Sequence, residues 1–470
     1  MNRIMAERLR HLLDPGSFSL VAGDEDGELI GGTGAIDGRQ VCVIAINPDA
    51  SVQIDPFEVL GQELAMLDYA EEHRIPVIHL ADRPGRVAME TTAIPTAIMR
   101  TFIDSHGAGR VFARFAHLSG VVPRVAVVFR PIATTLTYPV AECDAVVMVE
   151  SSGMSLARPD MVKLMTGDAS PYEEFGGARM HATISGTCDM LAPCEAEALA
   201  WVRRYLGFFP SQSGQLPPIA AAGKPAGDLR SAAAAIPADP DTRFAIRPLI
   251  GAVLDEGSLL ELKESYAQEV ITVFGRVAGM PAGIIASNPE CRGGILFPGT
   301  CRKIAAFASL CDAFNIPLVF LADVPGFMVG KDAEQAGIIR HGALVFSTIA
   351  NLSVPHMSVV VRKAYTAGLY AMGGPGFEPD RFIAFPGAHI TIYGRKAIAM
   401  LARKSGMSSE ECRKIEERVS GISSIEGYAA AGYLDAVIPG DDLRDEIERF
   451  LKKYYGTVPE RCCPRRVLCI

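Results

Sequence analysis

Three stretches near the start of the chain recur in its second half, each displaced by 241 residues. Leu13-Asp14-Pro15-Gly16-Ser17-Phe18 returns as Leu254-Asp255-Glu256-Gly257-Ser258-Leu259. GRQVCVIAINP (38–48) returns as GMPAGIIASNP (279–289). IPVIHLADRPG (75–85) returns as IPLVFLADVPG (316–326), with seven of eleven residues identical. Three matches in one unbroken register mark a duplication, and the period far exceeds the few dozen residues of a solenoid unit. The repeated unit is a whole domain. Two similar domains imply two similar pockets, which are free to take different jobs.

The 470 residues suffice for two domains of about 200 residues, each with its own core. Residues 1–209 and 244–470 are the expected domains. Between them, 210–240 carries six prolines and is otherwise mostly Ala, Gly and Ser. Too little bulky apolar surface is present to offset the entropy of ordering, so 210–243 reads as a linker or an irregular surface crossing. The net charge of -9 and the absence of any Lys/Arg run argue against nucleic acid. No apolar run approaches the roughly eighteen residues of a membrane span, and the N-terminal MNRIMAERLRHLLD reads as an amphipathic helix rather than a signal peptide. Eleven scattered cysteines, an odd number, read as reduced, mostly buried thiols of a cytoplasmic protein. Cys462, Cys463 and Cys469 crowd the C-terminus without a partner pair at zinc-site spacing, and read as a frayed tail.

Within each half, short β-rich runs alternate with helical segments. Residues 41–46, 77–80 and 125–129 read as strands, matched by 283–286, 318–322 and 357–361. They are apolar on both sides, as strands covered by helices on both faces are. Helical segments at 61–73 and 301–314 precede the second strand of each half. Strand, helix, strand in repeated order predicts an α/β sheet with right-handed crossovers.

In open α/β sheets ligands bind at the carboxyl ends of strands. Two strand ends per half qualify: Asp82-Arg83-Pro84-Gly85 with Asp323-Val324-Pro325-Gly326, and the loops after the next strand, from Arg130 to Thr135 and from Arg362 to Gly368. Only the second-half loop is rich in small residues, continuing to Gly373-Gly374. Small residues let backbone N–H groups approach a developing oxyanion, although Gly and Ala also serve tight strand-to-helix packing. No GxxxxGK[ST] and no Gly-x-Ser-x-Gly elbow is present, and no histidine pair stands at metal spacing. Gly32-Thr33-Gly34 misplaces the third glycine of a dinucleotide fingerprint and reads as a turn. His341 reads as a structural residue of an apolar helix. Catalysis here is expected to use backbone donors, with no metal.

The motifs GILFPGT (294–300), CDAFNIPLVF (311–320), DVPGFMVG (323–330), GIIRHGA (337–343), VRKAY (361–365) and Phe385-Pro386 resemble the carboxyltransferase (β) subunits of biotin-dependent acyl-CoA carboxylases. So do LLDPGSF (12–18), the turn at 34–38, and GGARMH (176–181) with Ser185-Gly186. The resemblance covers nearly the whole chain, in order. It implies two tandem crotonase-like domains, a homo-oligomer that is usually a hexamer, and an active site between the first half of one subunit and the second half of another. It also implies the substrates: an acyl-CoA thioester, and carboxybiotin on a separate carrier subunit, with ATP chemistry on a biotin carboxylase partner. The biotin oxygen would be held by N–H groups at Ala367 and Gly368, within a pocket of Tyr365, Thr366, Val324 and Gly326. The thioester oxygen would be held at Pro84 and Gly85, beside Ala133, Thr134 and Thr135, with Tyr370 where some members carry an acidic residue that sets acyl choice.

The chain departs from that family in its first half. Members usually carry Gly-Gly where Pro84-Gly85 stands, and proline has no N–H to donate. The small first-half loop reads Ala133-Thr134-Thr135, whose side chains crowd a close backbone approach. The biotin pocket is therefore expected to be intact and the acyl-CoA pocket remodelled. Three readings fit: an active carboxyltransferase with an unusual acyl-CoA, a biotin-independent acyl-CoA decarboxylase, and a non-catalytic paralogue that scaffolds a carboxylase.

Overall fold

The computed structural model describes residues 1–470 except 52–54, 84–95, 393–399, 401–403, 406, 409, 412, 415–423, 460–463 and 469–470. Two compact units emerge. Unit 1 holds Met1–Pro217, Lys263–Tyr266 and the described tail residues 464–468; unit 2 holds Pro218–Leu262 and Ala267–Pro459.

Unit 1 contains strands β1 (Ser19–Gly23), β2 (Leu29–Ile36), β3 (Arg39–Ile46), β4 (Val77–Ala81), β5 (Arg124–Val128), β6 (Ile132–Ala133), β7 (Ala145–Val149), β8 (Met154–Ser155) and β9 (Met190–Ala192). Its main sheet runs β1-β2-β3-β4-β5-β7-β9, with β6 and β8 pairing separately. The first three strands are antiparallel and the rest parallel. Unit 2 contains β10 (Leu260–Leu262), β11 (Val270–Val277), β12 (Met280–Ser287), β13 (Leu318–Val324), β14 (His356–Tyr365), β15 (Arg381–Ala384), β16 (His389–Thr391) and β17 (Ala436–Val437). Its sheet runs β10-β11-β12-β13-β14-β15-β17, and β16 pairs with β14. Every residue of β13 and β14 is buried, as expected of parallel strands covered on both faces.

The duplication persists at the level of single hydrogen bonds. Asp37 and Gly38 (φ 50° and 76°) turn β2 into β3, and Ala278 and Gly279 (φ 51° and 82°) turn β11 into β12. Positive φ at both central residues is the twist-matched two-residue hairpin turn. Asp14 accepts from the Asp37 and Gly38 N–H groups, and Asp255 from those of Ala278 and Gly279. Arg203 braces Asp14 and the Leu12 carbonyl, and Arg444 braces Asp255 and the Val253 carbonyl. The displacement then falls from 241 to 232: Val77 pairs with Arg124, whereas Leu318 pairs with His356.

Three expectations change. Gly32-Thr33-Gly34 is not a turn but part of β2, where an added Cβ would sit 2.6 Å from the Phe18 ring at Gly32 and 2.5 Å from Leu13 at Gly34. Packing, not chain reversal, requires those glycines. The stretch expected to be a linker over 210–243 joins unit 2 from Pro218 onward, with Ala220 N donating to Gly279 O and Ala226 N to Leu254 O. Backbone pairing orders it although it has few bulky side chains. At the C-terminus, Val467 is buried and its N–H donates to Ser119 Oγ at 3.0 Å; Cys462, Cys463 and Cys469 lie outside the described residues. The other described cysteines are free thiols.

Candidate active site

In unit 2 the two strand ends meet. β13 ends at Val324, and Gly326 comes two residues later with φ 120°, a conformation an L side chain resists. The Gly326 carbonyl accepts from Leu296 N, and Met328 N donates to Leu296 O, so the turn is pinned from the 294–296 segment. β14 ends at Tyr365, which is buried; Thr366 then turns with φ 48° and ψ -131° into the short helix Ala367–Ala371. A Cβ on Gly368 would lie 3.0 Å from both Gly326 Cα and Val324 Cγ2, and one on Gly326 would lie 3.2 Å from Thr366 Oγ1. Val324, Gly326, Thr366 and Gly368 are thus brought into contact or near contact, with Ala367 between the last two. Thr366 N donates to Thr391 O, and Leu369 N to Thr366 O. Among the described residues, the N–H groups of Ala367 and Gly368 have no acceptor. Tyr370 stands half-exposed beside them, edge-on to Phe346 and Phe377. Gly373 and Gly374 serve packing: added Cβ atoms would meet the Phe320 ring at 2.9 Å and Leu369 at 2.7 Å.

In unit 1 the corresponding aspartate, Asp82, is buried between Arg8 at 2.7 Å and Arg130 at 3.0 Å. Burial pushes its carboxyl up, against the pull of Arg8 and Arg130. Arg8 also takes both oxygens of Glu195 and lies 3.7 Å over the Phe129 ring. Pro84 and Gly85 lie outside the described residues. Beyond Arg130, β6 leads into the turn Thr134–Leu136, with Thr134 at φ 64°. Thr137 N and Oγ1 both return to Thr134 O, as Leu369 N does to Thr366 O.

The shared register adds Leu136 to the expected loop. With the displacement of 232, Thr134 corresponds to Thr366, Thr135 to Ala367 and Leu136 to Gly368. The small residues of one half therefore answer to Thr135 and Leu136 in the other, whereas Ala133 matches Tyr365. Leu136 was missed because the nine-residue change in spacing falls between the matched motifs. Next to this loop, His181 Nε2 bonds the Met154 carbonyl and Nδ1 meets Ser185 Oγ, both at 2.8 Å. A carbonyl only accepts, so Nε2 carries the proton and Ser185 donates to Nδ1. Burial lowers the His181 pKa and favours this neutral ring. His341 lies in the helix Ile338–Ala350, its pKa also lowered by burial. Among the described residues no cluster of His, Cys, Asp or Glu is placed to hold a metal, and no helix is long and apolar enough to cross a membrane.

Backbone N–H groups at the converging strand ends of unit 2 make a site of the class that receives an oxygen gaining negative charge. Residues 2–467 match the carboxyl transferase domain family, and the chain belongs to it. It is 41% identical to an uncharacterized carboxylase of Bacillus subtilis, over 90% of this chain and 83% of the relative. Identity is 32% to the propionyl-CoA carboxylase beta chain of Saccharopolyspora erythraea, over 96% and 87% of the two chains. The methylmalonyl-CoA carboxyltransferase 12S subunit of Propionibacterium freudenreichii is 31% identical, over 95% and 88%. Among solved structures, transcarboxylase 12S, described as a hexamer assembly with hydrolyzed methylmalonyl-coenzyme A bound, superposes with a TM-score of 0.86 at 28% identity, covering 98% of this chain and 92% of that one. The expected tandem crotonase-like α/β fold is the fold found.

Proposed function

We infer that the chain is the carboxyltransferase component of a biotin-dependent acyl-CoA carboxylase. It moves a carboxyl group from carboxybiotin, borne on a separate carrier subunit, to the α-carbon of an acyl-CoA. The observation that carries this reading is the pair of N–H groups at Ala367 and Gly368, which lack acceptors among the described residues and sit where one added Cβ would crowd Gly326. These residues fit a small flat ureido carbonyl that gains negative charge, the group oxyanion donors are built to receive. When bound, biotin supplies the transferable carboxyl. The chain's own residues do the rest on that side: Ala367 and Gly368 donate, Gly326 leaves room, and Val324, Tyr365 and Thr366 shape the wall.

The thioester falls to the half spanning 1–209. Gly85 is the remaining donor for its oxygen, since Pro84 has no N–H. Ala133, Thr134 and Thr135, with Leu136 beside them, narrow the approach, and Tyr370 is the proposed determinant of acyl choice, at the position where some family members carry an acidic residue. One lost donor costs about 10²–10³ in rate, so this is a slowed rather than abolished site. Assembly as a homo-hexamer is proposed by likeness to transcarboxylase 12S, and light scattering reads it directly.

The deciding assay is carboxyl transfer to and from free biotin across a panel of acyl-CoAs. Turnover on at least one of them is expected. No turnover, together with no acyl-CoA binding by calorimetry, would return the non-catalytic reading.

A further inference from the structure

The parallel ladder between β13 and β14 breaks just before the candidate pocket. Ala322 pairs with Val360, but the next pair is Val324 with Ala364, so two steps along β13 are matched by four along β14. Asp323 sits in that break, opposite the stretch holding Arg362. Arg362 Nε donates to Asp323 Oδ1 at 3.1 Å and Nη2 to Oδ2 at 2.8 Å. Nη1 turns the other way, to the carbonyls of Asp239 at 2.9 Å and Thr242 at 2.7 Å. Neighbouring Lys363 holds the Pro240 carbonyl at 2.6 Å. The Asp323 side chain is 0% exposed and that of Arg362 3%.

A buried ion pair is weak evidence for stability, because desolvation offsets much of its attraction. Irregularities of this kind re-aim a strand next to active sites. A second observation is independent of the first. The other half repeats the pair at the matching positions, with Arg130 at 3.0 Å from Asp82. There the residues beyond it have diverged, with Thr135 and Leu136 for Ala367 and Gly368, and the aspartate is still held, by Arg8 as well. The strand-end clamp is kept where the residues that follow the turn differ.

We propose that Asp323 and Arg362 are positioning residues, which bridge the broken ladder and fix the spacing between the Val324–Gly326 turn and the Ala367 and Gly368 N–H groups. Its effect on turnover rests on the carboxyltransferase reading; its geometry does not. The planar guanidinium is essential, since it alone reaches two carboxylate oxygens and two carbonyls from one fixed fork.

The test joins hydrogen exchange with kinetics, in Asp323→Asn, Arg362→Lys and the double variant Asp323→Asn/Arg362→Gln. The double variant removes both charges of the pair together, and so carries the test if a single variant does not fold. In folded protein, exchange within 366–372 is expected to rise at least about tenfold while the β11–β12 hairpin keeps its protection. The kcat for transfer to biotin should fall about 10²-fold, as a displacement near 1 Å can cost, with KM for the acyl-CoA unchanged. Wild-type exchange at 324–328 and 366–372 in folded variants, Arg362→Lys included, would overturn the proposal. A wild-type chain that transfers no carboxyl group sinks the carboxyltransferase reading, and exchange still decides the positioning.

Discussion

Thr134 and Thr366 stand at the same point of the two halves, and both hold a left-handed backbone, φ 64° and 48°. A β-branched residue rarely adopts positive φ. Both turns keep it, so the conformation is imposed by the fold at each strand end rather than chosen by the residue. The residues after the threonine differ: Ala367-Gly368 in one half, Thr135-Leu136 in the other. The halves therefore share a backbone path and differ in how closely a ligand can approach it.

Strain of this kind costs about 1–3 kcal/mol at a residue. Thr366→Gly removes it but loosens the unfolded chain by about 0.5–1 kcal/mol. The variant should therefore unfold at an equal or higher temperature, yet turn over more slowly as the pocket wall relaxes. A clear drop in the calorimetric midpoint would show that Thr366 is not strained.

Gly368→Val tests the biotin pocket. Even a Cβ would meet Gly326 Cα at 3.0 Å, so the extra methyls must displace backbone. Overpacking of this sort costs about 1–3 kcal/mol, well short of unfolding a chain this size. Transfer to biotin should fall below detection while circular dichroism and light scattering stay those of the parent. Full activity in the variant would place the pocket elsewhere.

The first half is probed by giving back what it lacks. Pro84→Gly restores an N–H, and adding Leu136→Gly restores the small residue found at Gly368. Turnover on a small acyl-CoA such as propionyl-CoA should rise by up to about 10²–10³ for the recovered donor. Pro325 stays untouched as an internal control. An unchanged rate in folded protein would mean that the thioester lies away from Pro84 and Gly85.

His181 gives a pH signature. Burial lowers its pKa in the folded state, below the value of about 6.5 for an unfolded chain. Between the two values the unfolded chain binds the extra proton, so stability rises with pH there. The contribution is whole above about pH 6.5 and is lost as pH falls below it. Melting temperatures of the parent and of His181→Gln, taken from about pH 5 to 8, should differ in slope on the acid side only. Parallel curves would contradict a neutral His181.

Most of the architecture was readable because hydrophobic burial is periodic and local. Strands at 41–46, 77–80 and 318–322 announce themselves by unbroken apolar runs, and the repeat at 241 residues carries their order across both halves. The close approach at the second-half strand ends was readable for a related reason: Gly326 and Gly368 are needed where backbones come within about a van der Waals contact, and such needs leave glycines behind. Chemistry fixed by a missing group was equally plain, as with the absent N–H of Pro84.

Other features depend on partners distant in the chain, and no local pattern records them. Gly32 and Gly34 lie inside β2 because the Phe18 and Leu13 side chains occupy their space. Leu136, and not Thr135, answers to Gly368 because Val77 pairs with Arg124 and Leu318 with His356. Asp323 meets Arg362 across a broken ladder because of the register between residues 39 apart in the chain. The duplication, the alternating α/β order and the donors available at each strand end are written in the linear chain, since each needs only neighbouring residues. Folding alone settles which residues of the two halves correspond at the strand ends and which buried charges meet there, because register is set by the summed pairing of whole strands rather than by any residue in them.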